Sequence, residues 1–227
     1  MGTNERLIEA NQAWEDEVNR KTKMKMTQSS LFGIRSARAA SLVVLTLALA
    51  GCGAMLKVAQ GDVVLKERLQ VKASKPWNQF ERGLADNTPT WTNEGVTVDA
   101  LKFYVAIRDG QEIAPLPSQA KGIQPLVFRA SMQPAQIVSL YESLLTRDGS
   151  SFTLDRLEPA DFLGERGFRF EYSLNRKVDD VPMKGVGIGV VRRGELFVIH
   201  YSAPRLVFYP RYLPQVEEIA RSAQVRG

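Results

Sequence analysis

The sequence predicts an α+β domain, an antiparallel sheet flanked by helices, placed after an N-terminal signal peptide. Three observations point there. Several runs alternate apolar and polar residues and are separated by short turn signals. Two proline-led segments with helical spacing interrupt and then close the series. A lone cysteine, Cys52, stands one residue after a nine-residue apolar run, Leu42 to Ala50.

The elements follow in order. Val63 to Ala73 is strand-like but irregular, and Pro76-Trp77-Asn78 comes next. Gly83 to Gly95, with Asn87-Thr88-Pro89 and Asn93, predicts a loop. Leu101, Phe103, Val105 and Ile107 alternate with Lys102, Tyr104 and Ala106, the period of a strand, and Asp109-Gly110 is a turn dipeptide able to close a hairpin. After a proline-containing connection, Val127 to Ala130 is extended. Pro134 suits a first helical turn, where its missing N–H costs nothing, and Ile137, Leu140, Tyr141, Leu144 and Leu145 keep helical spacing up to Asp148-Gly149. The last third is β-rich. Phe152 to Leu157 is one strand. Phe168, Phe170, Tyr172 and Leu174 alternate with Arg169, Glu171 and Ser173, which predicts one wet face. Val186, Ile188 and Val190 interleave with Gly187 and Gly189. Leu196 to Tyr201 is apolar on both faces, the mark of a central strand covered on both sides. Leu213, Val216, Ile219 and Ala220 suit a terminal helix beginning near Pro214.

Composition sets bounds. The chain has 227 residues, 30 of them basic and 25 acidic. Residues 1–51 hold seven of the basic and five of the acidic ones, so the remainder is about +3. Its charges are scattered rather than clustered, which argues against a nucleic-acid partner. A single cysteine rules out an internal disulfide and any cysteine-pair zinc site. The sequence offers no cofactor motif and no metal-ligand spacing.

The N-terminal third reads as targeting. Residues 1–23 include five acids, which does not suit a signal peptide, and are expected to be a misassigned N-terminal extension with translation starting at Met24 or Met26. From Met24 to Ser41 there are three basic residues, Lys25, Arg35 and Arg38, and no acids. The apolar run, Ala50 and Gly51 then follow. Leu49-Ala50-Gly51-Cys52 resembles the lipobox of bacterial lipoproteins. The resemblance implies a diacylglyceryl group on the Cys52 thiol, cleavage between Gly51 and Cys52, and a fatty-acyl (palmitate-type) chain on the new amine. It also implies residues 24–51 as signal peptide, 52–62 as a lipidated tether and 63–227 as a single domain. At about 0.8 kcal/mol per buried methylene, two or three chains anchor a protein stably without a spanning helix. Gly53, rather than Asp, implies outer-membrane delivery by resemblance to enterobacterial sorting, with the domain facing the periplasm. The alternative is an uncleaved span, since 18 residues between Arg38 and Lys57 carry no charge. Both place the domain outside the cytoplasm.

The order of elements, carried by Phe128 to Leu145, Gly167 to Tyr172, Gly194 to Ile199 and the terminal helix, loosely resembles the Mog1/PsbP-like fold. That resemblance implies an accessory or binding module rather than an enzyme.

Candidate sites are few. His200 is the only histidine, lies on the Leu196/Val198 face of the most apolar strand, and is expected to be a hydrogen-bonded core residue. Gly185-Val186-Gly187-Ile188-Gly189 lacks the strand-to-helix turn of a phosphate loop and is expected to allow close packing over a sheet. Asp179-Asp180 suits a solvated hairpin loop. Arg205, Phe208, Tyr209, Arg211 and Tyr212, with Trp77 and Trp91 in loop-like surroundings, form a candidate interaction surface, because arginine and aromatics dominate binding hot spots. The plain alternative is that Phe208 and Tyr212 cap the core. The expected function is therefore a membrane-anchored envelope lipoprotein with a non-enzymatic binding domain and an envelope protein as partner. Two alternatives stand beside it: a hydrolase using acids near Asp161, such as Glu158 and Glu165, and a carrier of an apolar ligand, which requires a cavity of about 300 Å³ or more.

Overall fold

The computed structural model describes residues 55–80, 88–116 and 122–226. Residues 1–23, the apolar run and the Leu49 to Cys52 motif lie outside them. The described chain forms β1 (Met55–Val58), β2 (Gly61–Leu65), β3 (Leu69–Ala73), β4 (Trp77–Phe80), β5 (Thr90–Thr92) and β6 (Ala100–Arg108). Then come α1 (Pro134–Leu145), β7 (Ser151–Phe162), β8 (Glu165–Arg176), β9 (Val181–Arg192), β10 (Glu195–Pro204), α2 (Phe208–Ser222) and β11 (Gln224–Val225).

Eight strands make one antiparallel sheet in the order β1-β4-β5-β6-β10-β9-β8-β7, and β11-β3-β2 make a second, small one. Consecutive strands β7 to β10 are joined by tight turns. All three turns place a non-glycine residue in the left-handed region, Leu163, Asp180 and Arg193, and Gly164 and Gly194 complete the first and third. β10 is central, hydrogen-bonded to β6 on one side and β9 on the other. Its two faces meet different partners. Phe197, Ile199, Tyr201 and Ala203 belong to a core shared with α2 and the small sheet. Leu196 and Val198 belong to a core shared with α1 and Phe128. The molecule is thus an α+β domain, with one helix on each face of the main sheet.

α1 begins where Pro134 predicts it and stops before Asp148-Gly149. Gln133 and Gln136 close a reciprocal capping box at its start. Other boundaries differ from the sequence expectation, for physical reasons. Residues 55–62, expected as tether, hold β1 and the start of β2, because short exposed edge strands carry too few apolar residues to show a period. Thr90 to Thr92, inside the expected loop, forms β5. α2 starts at Phe208 rather than near Pro214, and Pro214 sits inside it. The Asp109-Gly110 turn exists, but the residues after it pair with 126–128 instead of closing a hairpin on β6. In β6 itself, Ala106 has φ of 53°, where the register against β10 slips between Leu196 and Val198.

Candidate functional site

The glycines of β9 are the local device on which the α1 face is built. Gly187 lies between Phe170 of β8 and His200 of β10, and Gly185 between Tyr172 and Ser202. A Cβ at Gly187 would fall 2.1 Å from the Phe170 ring, and one at Gly185 2.1 Å from the Tyr172 ring. The missing side chains leave a trough across β9. Aromatic rings from β8 lie down in it and reach β10, two strands away. The Gly185 to Gly189 run therefore serves packing, as its place within a continuing strand implies.

His200 sits at the end of that trough. Its ring is parallel to Tyr172 within 3°, with centroids 5.7 Å apart, and it also stacks against Tyr141 at 5.5 Å. Tyr104 and Phe170 complete the enclosure. The Tyr172 hydroxyl is hydrogen-bonded to Nε2 at 2.9 Å. Burial, and then the positive charge of Lys102, push the His200 pKa down to about 3, so the ring is neutral at physiological pH. Burial likewise raises the Tyr172 and Tyr141 pKa values, keeping both phenols protonated. His200 is the hydrogen-bonded core histidine that its strand face predicts. Its second nitrogen, Nδ1, and the Tyr141 hydroxyl are buried without a hydrogen-bond partner among the described residues.

His200 also lines a cavity of about 380 Å³. Leu144, Leu145 and Arg147 form its wall at the end of α1, and Leu174 and Met183 supply its apolar side. Val96 to Val98 form the opposite lip. That lip is held by Asp99, whose buried carboxylate accepts hydrogen bonds from the Thr92 hydroxyl and from the backbone N–H groups of Asn93 and Glu94. Lys102 and Arg176 also border the space, whereas Asp148 is the one acid there. Arg176 is engaged, donating to Asp179 and to the Thr97 carbonyl. Arg147 is not: its Nη2 is buried and lacks a partner among the described residues. The arrangement is a largely apolar pocket with positive charge at its border, and two of its lining residues, Arg147 and His200, each hold an unmet buried polar atom. The sequence shows Arg147-Asp148-Gly149 only as a helix end. Nothing in the local pattern marks Arg147 or Lys102 as neighbours of His200.

The expected interaction surface divides. Trp77 and Trp91 are core residues, 1% and 0% exposed. They pack on one another, on Phe103 and on Tyr212 beneath α2. Both belong to short strands, β4 and β5, whose loop-like composition hid their burial. Tyr209 is buried too. Arg205 and Arg211 are exposed, and Leu206, between Arg205 and α2, is 79% exposed. Phe208 and Tyr212 are half-buried against the core. The Arg211 guanidinium lies 5.4 Å above the Phe208 ring and pairs with Glu94, which also accepts from the Tyr212 hydroxyl.

The acids near Asp161 do not converge. Asp161 pairs with Arg166 and is 80% exposed, Glu165 pairs with Arg192, and Glu158 with Arg156. A smaller cavity of about 250 Å³ beside Asp161 also holds Arg169 and Glu217, but those two are bonded to each other at 3.0 Å. Arg169 also pairs with Glu171, so the β8 face expected to be wet is half-covered by α2. Asp179 is bound by Arg176, which holds its carboxyl below the usual range, in the exposed β8–β9 turn. Among the described residues no group of three or more His, Cys, Asp or Glu side chains is placed to hold a metal ion.

No family model matches the chain, and no curated protein matches it. Solved structures do. The solution structure of cyanobacterial PsbP (CyanoP) from Synechocystis sp. PCC 6803 is similar with 13% identity and a TM-score of 0.49. It covers 78% of this chain and 95% of that one. LpqN of Mycobacterium tuberculosis, described as involved in cell envelope biogenesis, is similar with 10% identity and a TM-score of 0.34, covering 78% and 86%. At these values the likeness says nothing of activity, ligand or partner. The α+β class rests on the strands and helices above.

Proposed function

We propose that this protein is a lipid-anchored lipoprotein of the cell envelope, held at the outer membrane and facing the periplasm, whose domain is a non-enzymatic binding module. The observation that carries the reading is the run from the basic flank through Leu42 to Ala50 into Gly51-Cys52. Acylation gives the lone thiol a use that neither redox nor metal chemistry gives it. Met55, where β1 begins, is only three residues after Cys52, at most about 11 Å of extended chain. The lipid would therefore hold the domain close to the bilayer. Among the described residues no helix is long and apolar enough to cross a membrane. The binding role is supported by the cavity beside His200, and the exposed Arg205, Leu206 and Arg211 offer a surface for an envelope protein partner. The carrier reading gains from the same cavity, whose volume exceeds the 300 Å³ such a role requires. The hydrolase reading gains nothing from acids that are each paired to an arginine of their own.

The test is metabolic labelling with palmitate followed by membrane fractionation. Cys52→Ala should abolish the label and release the domain from the outer-membrane fraction. A variant that still fractionates with membranes would transfer the anchor to an uncleaved apolar span.

A further inference from the structure

We propose that the cavity at the end of α1 binds a small anionic amphiphile, its carboxylate or phosphate head held by Arg147 and the His200 ring and its short apolar chain lying against Leu144, Leu145, Leu174 and Met183. The proposal rests on the binding-module reading and names the ligand class.

Four observations lead to it. The cavity, at about 380 Å³, lies within the range of small-molecule sites. The Arg147 Nη2 and the His200 Nδ1 are buried and lack partners among the described residues. Native proteins rarely leave such atoms unmet, and an unpaired guanidinium donor is the costliest kind. The charge bordering the space is mainly positive, from Lys102, Arg147 and Arg176 against Asp148. Leu144, Leu145, Leu174 and Met183 supply an apolar side, so the ligand pairs a charged end with an apolar one. The proposal takes the tautomer in which the Tyr172 hydroxyl donates to Nε2 and the ring proton resides on Nδ1, so that His200 offers the anion a donor. Tyr172 and Tyr141 hold the ring plane from both sides. A planar guanidinium with a neutral imidazole donor recognises a carboxylate or phosphate oxygen without burying an isolated charge.

The chain contains a single histidine, so ¹⁵N-histidine labelling of the full chain in lipid nanodiscs reports on His200 alone. The probes are hexanoate and hexyl phosphate, with hexanol as the neutral compound of equal chain length. Either anion should shift the Nδ1 resonance saturably, with at least about tenfold tighter binding than hexanol. Tighter binding of hexanoate assigns a carboxylate head, and tighter binding of hexyl phosphate a phosphate head. Arg147→Gln should weaken anion binding about tenfold and leave hexanol unaffected. Arg147→Lys should recover part of that loss, because it restores charge but not the planar fork. An Nδ1 resonance unmoved by both anions overturns the proposal. So does hexanol binding as tightly as the anions, or unchanged affinity in Arg147→Gln. Cys52→Ala separates the two readings. If that variant binds the anions but stays with membranes, the anchor reading fails alone. If it leaves the membrane and the anions do not bind, the ligand proposal fails alone.

Discussion

On the face of the main sheet beneath α2, β10 presents Phe197, Ile199, Tyr201 and Ala203, and β9 presents Val186, Ile188 and Val190. On the face beneath α1, the same two strands present Leu196, Val198, His200, Ser202 and Met183 beside three glycines. The first face is filled by side chains from every direction, including Trp77, Trp91 and the apolar stripe Val216, Ile219 and Ala220 of α2. The second is filled by aromatic rings laid across a trough, and it keeps a cavity and unmet polar atoms. Both helices cover an apolar core, but only the α1 side also keeps a cavity and unmet polar atoms beside it. A binding site needs room and polar atoms, and a stabilising core needs neither. On the proposed reading the two faces divide those tasks unequally.

That contrast makes its largest prediction on the α2 side. Trp91→Ala removes a wholly buried indole packed on Phe103 and Trp77, and should cost about 3–5 kcal/mol in urea unfolding. A loss under 1 kcal/mol would mean that this face is not the main stabilising core.

The second prediction concerns pH and belongs to the α1 side. His200 has a folded pKa near 3 against an ordinary 6.5. Between those values the unfolded chain takes up a proton that the folded one refuses. Stability is therefore highest above pH 6.5 and falls as pH drops, by about 1.4 kcal/mol per unit at most, or roughly 2–3 kcal/mol by pH 4.5. His200→Phe should flatten the profile in that window. The lowered carboxyl of Asp148, held by its bonds to Ser150, contributes in the same direction but at lower pH, so it leaves the window clear.

The smallest effect tests the histidine–tyrosine pair. Tyr172→Phe strands the buried Nε2 and should cost about 1–2 kcal/mol. Adding His200→Phe removes the stranded atom, and the double variant should recover most of that loss. Independent, additive costs in a double-mutant cycle would show that the hydrogen bond is not the coupling between the two rings.

Much of this was legible in the sequence where periodicity is strong. α1, the β8 alternation and the doubly apolar β10 all occupy the places their patterns predict, because burial of a repeating face dictates those patterns. The histidine's burial was legible from its strand face. Short strands were not: β4 and β5 have four and three residues, too few to show a period, and so Trp77 and Trp91 look like loop residues. The cavity was illegible for a different reason. Lys102, Arg147, Arg176 and His200 come from four separate elements or their ends and meet only through sheet order. The glycine trough lies between the two. Its residues are conspicuous in the sequence, but their purpose appears only once β8 is seen beside β9.

The most direct measurement of the difference between the faces is the ¹⁵N spectrum of the single histidine in the full chain, followed from pH 7 to pH 4 with and without hexanoate. The account predicts a neutral ring throughout, bonded through Nε2, whose Nδ1 resonance moves only when hexanoate is added. A ring that titrates near pH 6.5 and ignores hexanoate would contradict it.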